Sequence, residues 1–124
     1  MGQKEKLLAH ARKKFGSKPE YPWADEPEYA VLRHADSGKW YALLMRLPAK
    51  RLGIEGTVLD VVNLKADPMV ILSLLDHPSA LPGYHMNKTH WITIILNGRF
   101  PDKELLSLLE SSHALTRKSK HSLK

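Results

Sequence analysis

YAVLRHADSGKWYALLMRL, residues 29–47, is the stretch of sequence that decides the fold. Residues 29–34 and 40–47 are dominated by aromatic and aliphatic side chains, a composition typical of β-strands. Between them, Asp36-Ser37-Gly38 is a turn sequence in which Gly38 supplies a positive φ angle. Pro48 then ends the second strand. The stretch therefore predicts a β-hairpin.

Helical and strand patterns flank this hairpin on both sides. Apolar side chains recur every three to four residues in the helical segments and alternate or run together in the strand segments. The expected elements are a helix over residues 3–15, strands over 57–64 and 89–96, and helices over 69–75 and from 102 onward. Residues 77–83, which contain two prolines, are expected to form a loop.

The resulting order, α-β-β-β-α-β-α, predicts an α+β fold in which helices pack on one face of an antiparallel sheet. A chain of 124 residues predicts one domain over residues 1–116, followed by a basic and flexible tail over 117–124. The strand over 89–96 is apolar on both faces, which places it centrally in the sheet. Trp91, at the start of its apolar run, is expected to lie in the core.

Composition excludes several classes of function. The chain has no cysteine, so disulfides, thiolate zinc sites and cysteine nucleophiles are absent. His85 and His90 are five residues apart, a spacing that does not suit a shared metal ion. No Gly-x-Ser-x-Gly motif or glycine-rich phosphate loop occurs. The expectation is a non-enzymatic, cytoplasmic protein with no metal, no cofactor and no membrane segment.

The formal net charge of +6 suggests a polyanionic partner. Lysine and arginine are concentrated in residues 1–18 and 99–124, whereas residues 19–98 are slightly acidic. Two interpretations stay open at this point. The basic ends form a nucleic-acid surface, or they are solvated features that aid solubility.

Residues 82–91 combine aromatic rings, imidazoles, an amide and an ammonium group in one loop-to-strand passage. Aromatic rings supply stacking faces and the other groups supply hydrogen bonds, so the passage suits a polar recognition site. A structural interpretation is also open, in which His85, Asn87 and Lys88 cap and shape the turn.

Several motifs give the chain a resemblance to the MmcQ/YjbR family of small bacterial proteins. The resemblance covers nearly the whole chain, and its motifs occur in order at matching spacing. They are residues 21–23 (YPW), 29–34 (YAVLRH), 39–43 (KWYAL), 63–65 (NLK) with Pro68, 84–88 (YHMNK) and 90–93 (HWIT). One departure is His113, which follows Ser112 where the family commonly has tyrosine.

The resemblance implies a CyaY-like fold, similar to that of frataxin homologues and secretion chaperones. Family members are often described as DNA-binding proteins, and no established catalytic residues come with the family. The basic first helix does not match the acidic iron-binding ridge of true frataxins.

Double-stranded DNA, bound mainly through its phosphates, is therefore the leading ligand hypothesis. The residues predicted to contact it are Arg12, Lys13, Lys14, Lys65, His85, Asn87, Lys88, His90, Arg117, Lys118 and Lys120. One alternative is a protein-interaction or chaperone-like module that uses an exposed face of the sheet. Another is a small-molecule binder around residues 85–91, with a pocket lined by Tyr84 and Trp91.

Overall fold

The computed structural model describes residues 2–117 and contains five strands and three α-helices. No helix in this range is long and apolar enough to cross a membrane. The elements are α1 (Gln3–Phe15), β1 (Ala30–Arg33), β2 (Trp40–Pro48), a 3-10 turn (Ala49–Leu52), β3 (Val58–Lys65), α2 (Pro68–Leu74), β4 (Ala80–Pro82), β5 (Trp91–Ile95) and α3 (Asp102–Thr116). The predicted α+β class and the predicted element types are confirmed.

The sheet has the strand order β1-β2-β3-β5-β4, and every neighbouring pair is antiparallel. β5 lies between two strands, so its predicted central position is confirmed. β4 is the one strand that sequence reasoning missed, since it falls within the predicted loop over residues 77–83. It has three residues, too few for a period to show, and it ends at Pro82. An edge strand tolerates proline because one of its sides forms no ladder.

A β-bulge in the hairpin determines which face of the sheet each of two adjacent aromatic residues occupies. Leu32 pairs with Ala42 but Arg33 pairs with Trp40, which leaves Tyr41 as the extra residue. Tyr41 and Ala42 both join the core on the helix side of the sheet, and Trp40 packs on the opposite side. An extra residue on one strand breaks the alternation of faces in this way.

The main core lies between the sheet and the helices. Its side chains alternate along β2, β3 and β5 and meet the apolar faces of α1 and α3, as the helical and strand periods require. Its fully buried members include Leu7, Ala11, Leu44, Val62, Leu64, Ile92, Ile94, Leu105 and Leu109. α2 contributes Ile71.

The other face of the sheet is also covered, by loops rather than helices. Val31, Leu43, Met45, Val61 and Ile95 are buried there. Aromatic and aliphatic side chains from the connecting segments pack over them, including Trp23, Tyr29, Ile54, Tyr84 and Met86. Within residues 2–117, the sheet therefore lacks the exposed face that the chaperone-like alternative requires.

The most exposed large apolar side chains lie on α2 instead. Met69 is 73% exposed and Leu72 is 65% exposed. Among residues 2–117, these two side chains are the most exposed large apolar surface that a protein partner could contact.

α1 and α3 run side by side in the same direction. Lys6 Nζ lies 2.7 Å from Asp102 Oδ2 near their starts, and Lys14 Nζ lies 2.8 Å from Glu110 Oε1 near their ends. His10 also contacts Glu110 at 2.7 Å. Lys6 and His10 therefore both contact α3, and Lys6 remains exposed.

The position of Trp91 differs from expectation. It is partly buried at the end of the sheet and belongs to neither core cluster, so its placement in the core is wrong. The fully buried residue is its neighbour Ile92. An apolar run shows that a strand exists, but it does not show which residue lies at the sheet's end.

Replacing Ile92 with alanine is expected to lower the free energy of unfolding by about 2–5 kcal/mol, since a cavity opens in the core. Trp91→Ala is the matched control at the adjacent, partly exposed position and is expected to cost less. Chemical denaturation of both variants measures the difference. A larger loss for Trp91→Ala would show that the sheet's end, and not its centre, carries the stability.

Candidate nucleic-acid interface

The topology places one end of every strand next to the C-terminal ends of two helices. β1 and β3 finish where β2 and β5 begin, so Arg33, Trp40, Lys65 and Trp91 lie at the same end of the sheet. α1 and α3 also finish there. The following cations belong to this basic end: Arg12, Lys13, Lys14, Lys18, Arg33, Lys39, Lys65, Lys88 and Arg117.

Contacts of the last turn of α3 show how the helix ends are fixed at the basic end. Ser112 Oγ donates to the backbone oxygen of Tyr41 at 2.6 Å and accepts from the backbone N–H of Lys65 at 2.8 Å. The His113 ring stacks on Phe15, with ring centroids 3.7 Å apart. The end of α3 is therefore tied to β2, β3 and α1 at once.

The predicted contacts of the first helix, Arg12, Lys13 and Lys14, are exposed in its last turn. Cations near a helix C-terminus interact favourably with the helix dipole, so this placement also has a structural benefit. Arg117 directly follows α3 and is exposed. The structure thus brings together the first helix and the start of the C-terminal basic segment, while Lys118 and Lys120 lie outside the described residues.

Residues 83–90 form a loop whose polar side chains are partly engaged. Asn87 Oδ1 accepts from the N–H of Thr89 at 2.8 Å, and its backbone oxygen accepts from the N–H of Trp91 at 2.9 Å. Lys88 Nζ donates to the backbone oxygen of Gly83 at 2.9 Å. Asn87 and Lys88 therefore shape the loop, although both remain exposed.

The side chains of the two histidines in this loop are less engaged than those of Asn87 and Lys88. His85 is exposed and has a φ angle of 58°, an unusual value for a residue other than glycine. His90 is exposed and contributes its backbone oxygen, which accepts from the N–H of Ala66 at 3.0 Å. Lys65, directly paired with Trp91, is partly buried at the end of β3.

A buried polar network holds this loop against the sheet. Asn63 is fully buried, and its Nδ2 donates to the backbone oxygen of Tyr84 at 2.8 Å. Thr93 Oγ1 donates to Asn63 Oδ1 and accepts from the N–H of Tyr84 at 2.8 Å. The network explains why three of the sequence motifs occur together, since each supplies one member. Sequence reasoning missed Asn63 and Thr93, and an amide inside an apolar strand was the available signal.

Few carboxylates offset the basic end, and Asp36 in the hairpin turn is one of them. Glu20 pairs with Arg33 at 3.1 Å, and Glu110 is shared by Lys14 and His10. Asp67 caps α2 by accepting from the N–H of Met69. Among residues 2–117, the remaining cations of the basic end form no salt bridge. They are Arg12, Lys13, Lys18, Lys39, Lys65, Lys88 and Arg117.

A cavity of about 650 Å³ opens at the basic end between α1, the hairpin turn and α3. His34 and His113 line it, with ring centroids 4.2 Å apart. Burial lowers the pKa of His34, against the raising effect of Asp36, and Arg117 and Lys39 lower that pKa further. Burial lowers the pKa of His113 as well, helped by the charges of His34 and Arg117 and opposed by Asp36.

Tyr84 and Trp91, which were predicted to line a small-molecule pocket, do not line the cavity beside His85. The cavity beside His85 is lined instead by Trp23, Tyr29 and Trp40 from the other end of the sequence. Among the described residues, no group of three or more His, Asp or Glu side chains is placed to hold a metal ion.

The family model named YjbR matches residues 12–115, which span the hairpin, the network and most of α3. The chain belongs to the YjbR family. The YyaQ protein of Bacillus subtilis is 41% identical over 115 residues, which cover 92% of this chain and 98% of YyaQ. The YjbR protein of Escherichia coli K12 is 36% identical over 53 residues, which cover 42% of this chain and 45% of that protein.

Two solved structures share the fold. A crystal structure of a Pseudomonas syringae protein is 49% identical and superposes with a TM-score of 0.87, covering 91% of this chain and 97% of the other. A crystal structure of a Deinococcus radiodurans protein is 28% identical with a TM-score of 0.73, covering 98% and 85%. The resemblance to the MmcQ/YjbR family is thus confirmed in sequence and in structure.

Thr93→Val is expected to lower the free energy of unfolding by about 2–4 kcal/mol, because it leaves the buried Asn63 Oδ1 and the Tyr84 N–H without a partner. Asn63→Ala should cost a similar amount, and the double variant should cost less than the sum, since both belong to one network. Chemical denaturation of the three variants measures this coupling. Strictly additive losses would contradict the network.

His34, which is buried, and His113, which is partly buried, are expected to make stability depend on pH. Their folded-state pKa lies below the unfolded value of about 6.5, so the unfolded chain takes up protons more readily. Their contribution is therefore fully present above about pH 6.5 and decreases as pH falls below it. His113→Tyr removes one of the two groups and should show a smaller loss between about pH 7.5 and 5.5 by thermal unfolding. An unchanged loss would place the titrating groups elsewhere.

Proposed function

We propose that this YjbR-family domain is a non-enzymatic, cytoplasmic binding protein whose ligand is double-stranded DNA, contacted mainly through its phosphates. The observation that carries the proposal is the collection of cations at the basic end. Residues from both ends of the sequence, which are more than 100 positions apart, meet there with the loop over residues 83–90. A concentrated positive surface attracts the DNA backbone and releases its counterions.

The length and exposure of these cationic side chains favour contacts with DNA phosphates over contacts with base edges. Arg12, Lys13 and Arg117 are exposed and form no salt bridge within residues 2–117. Long exposed side chains of this kind contact phosphates and give affinity with little sequence preference. Lys88 is the exception, because its ammonium group is held by Gly83 and is available only in part.

The contact between the His34 imidazole and the Thr116 hydroxyl supports a binding role over a catalytic one. His34 Nε2 lies 2.8 Å from Thr116 Oγ1, a pairing that could activate a nucleophile. Both residues are buried, and the Thr116 hydroxyl donates its proton to the backbone oxygen of Ser112 at 2.7 Å. His34 lines the cavity at the basic end but Thr116 does not, and the hydroxyl proton of Thr116 is committed to a backbone oxygen.

Fluorescence anisotropy with a duplex oligonucleotide, measured across a salt series, tests the proposal. Arg12→Gln combined with Lys13→Gln is expected to reduce the slope of log affinity against log salt by about 1.8, since each phosphate contact contributes about 0.9. Preference among duplex sequences should not change, because these side chains need not reach base edges.

Arg99→Gln combined with Lys103→Gln is the matched control. Both residues are exposed and lie where α3 begins, at the opposite end of the molecule. This variant carries the same change in net charge and should keep the wild-type slope. Equal slopes for the two variants would show attraction by net charge alone. No binding at low salt would reject DNA as the ligand and leave protein interaction through α2 as the leading function.

A further inference from the structure

A second cavity lies on the sheet face opposite the helices, and His85 is the one residue of its described lining that is also among the proposed DNA contacts. Its volume is about 240 Å³, below the roughly 300–1,000 Å³ typical of sites for drug-sized ligands. The cavity is therefore suited to a small ligand or to the headgroup of a larger one.

Three aromatic rings form its walls. The indole of Trp23 is perpendicular to that of Trp40, at an interplanar angle of 90° and a centroid distance of 5.5 Å. The ring of Tyr29 is nearly perpendicular to Trp23 as well, at 82° and 6.2 Å. The perpendicular rings are in edge-to-face contact and form a corner, and a ligand within it meets the ring surfaces that these contacts leave open.

The floor and one side of the cavity come from β2 and from the loop over residues 83–90. Leu43 and Met45 of β2 form part of the floor, and both are buried. His85 and Met86 close one side from the loop that the Asn63 network fixes. The site is thus built on the sheet and on a loop tied to it.

The charge of the lining is opposite to that of the protein as a whole. Asp25 and Glu26 line the cavity, and its described lining contains no lysine or arginine. The protein carries a net charge of +6, so this is a local negative region on a positive molecule. Two cations lie close to the rings: Arg33 pairs with Glu20 and lies 5.7 Å from the centroid of the Trp40 ring, and the Arg51 guanidinium lies beside the Tyr29 hydroxyl.

We infer that this aromatic cavity binds a quaternary ammonium group. Such a cation has no N–H to donate and is weakly hydrated, so aromatic faces and nearby carboxylates are the partners that suit it. Asp25 and Glu26 supply the long-range attraction, and the corner formed by Trp23 and Trp40 supplies the contact. Arg33 over Trp40 shows that this indole already accepts a cation on one of its sides.

The inference does not rest on DNA binding, because the two sites have opposite charge and share only His85. Nucleic acid would be repelled from Asp25 and Glu26, whereas a small cation would be repelled from the basic end. Loss of one activity therefore leaves the other testable.

In the first experiment, choline is titrated into ¹⁵N-labelled protein, and binding is monitored through the indole N–H signals in NMR spectra. The chain has three tryptophans. Trp23 and Trp40 line the cavity and should shift with a dissociation constant on the order of 1 mM. Trp91 lies outside the lining and serves as the internal reference, so its signal should stay in place.

Two further sets of titrations compare ligands. One separates the effect of ligand charge from that of ligand shape, and the other separates a free ligand from one attached to a protein. The uncharged isostere of choline, in which carbon replaces nitrogen, should bind at least roughly fivefold more weakly. Tetramethylammonium and trimethyllysine distinguish a free headgroup from one carried on a protein side chain. Equal binding of choline and its isostere, a shift of Trp91 as large as that of Trp23, or no shift with any probe would overturn the inference.

Asp25→Asn combined with Glu26→Gln tests the carboxylates without emptying the aromatic corner. The choline affinity should fall roughly threefold to tenfold. Glu55→Gln combined with Glu104→Gln, at exposed acids outside the cavity, removes the same charge and should leave the affinity unchanged. If both double variants bind choline as the wild type does, the carboxylates have no part in recognition and the inference fails.

Discussion

An amide buried in the middle of a sheet must find hydrogen-bond partners, and in this protein one amide sets the position of a whole loop. Asn63 has no exposed surface, so leaving its side chain unpaired would carry the full cost of desolvation. Thr93 and the backbone of Tyr84 satisfy it. Because Tyr84 begins the loop over residues 84–90, the same bonds hold that loop over the sheet. The second sheet face is covered, and the aromatic cavity has its side wall, only while this loop stays in place.

The basic end depends on a different constraint, the direction of the chain through each element. An antiparallel sheet brings alternate strand ends together, and α1 and α3 happen to run parallel. Sequence could locate the cations at the two ends of the chain, but it could not show that those ends meet. That fact comes from contacts such as Phe15 with His113, which no local pattern encodes.

Local pattern predicted the elements whose period is long enough to count. The hairpin, the helices and β5 follow from side-chain spacing, and the caps Gly16 and Asp67 lie where their residue types indicate. β4 was missed because three residues carry no period. The cover of the second face was missed because Trp23 and Tyr29 lie in a proline-rich, acidic segment without regular structure. Polar residues of the loop over 83–90 were found, but their division between shaping the loop and facing solvent required coordinates.

The bulge in the hairpin exchanges the sheet faces of two neighbouring aromatic residues. Without the extra residue, strict alternation with the strand that follows would place Trp40 on the helix side and Tyr41 on the opposite side. With it, Tyr41 is committed to the helical core, while Trp40 lines the aromatic cavity. A single inserted residue therefore decides which of the two rings, the indole or the phenol, a ligand in that cavity meets.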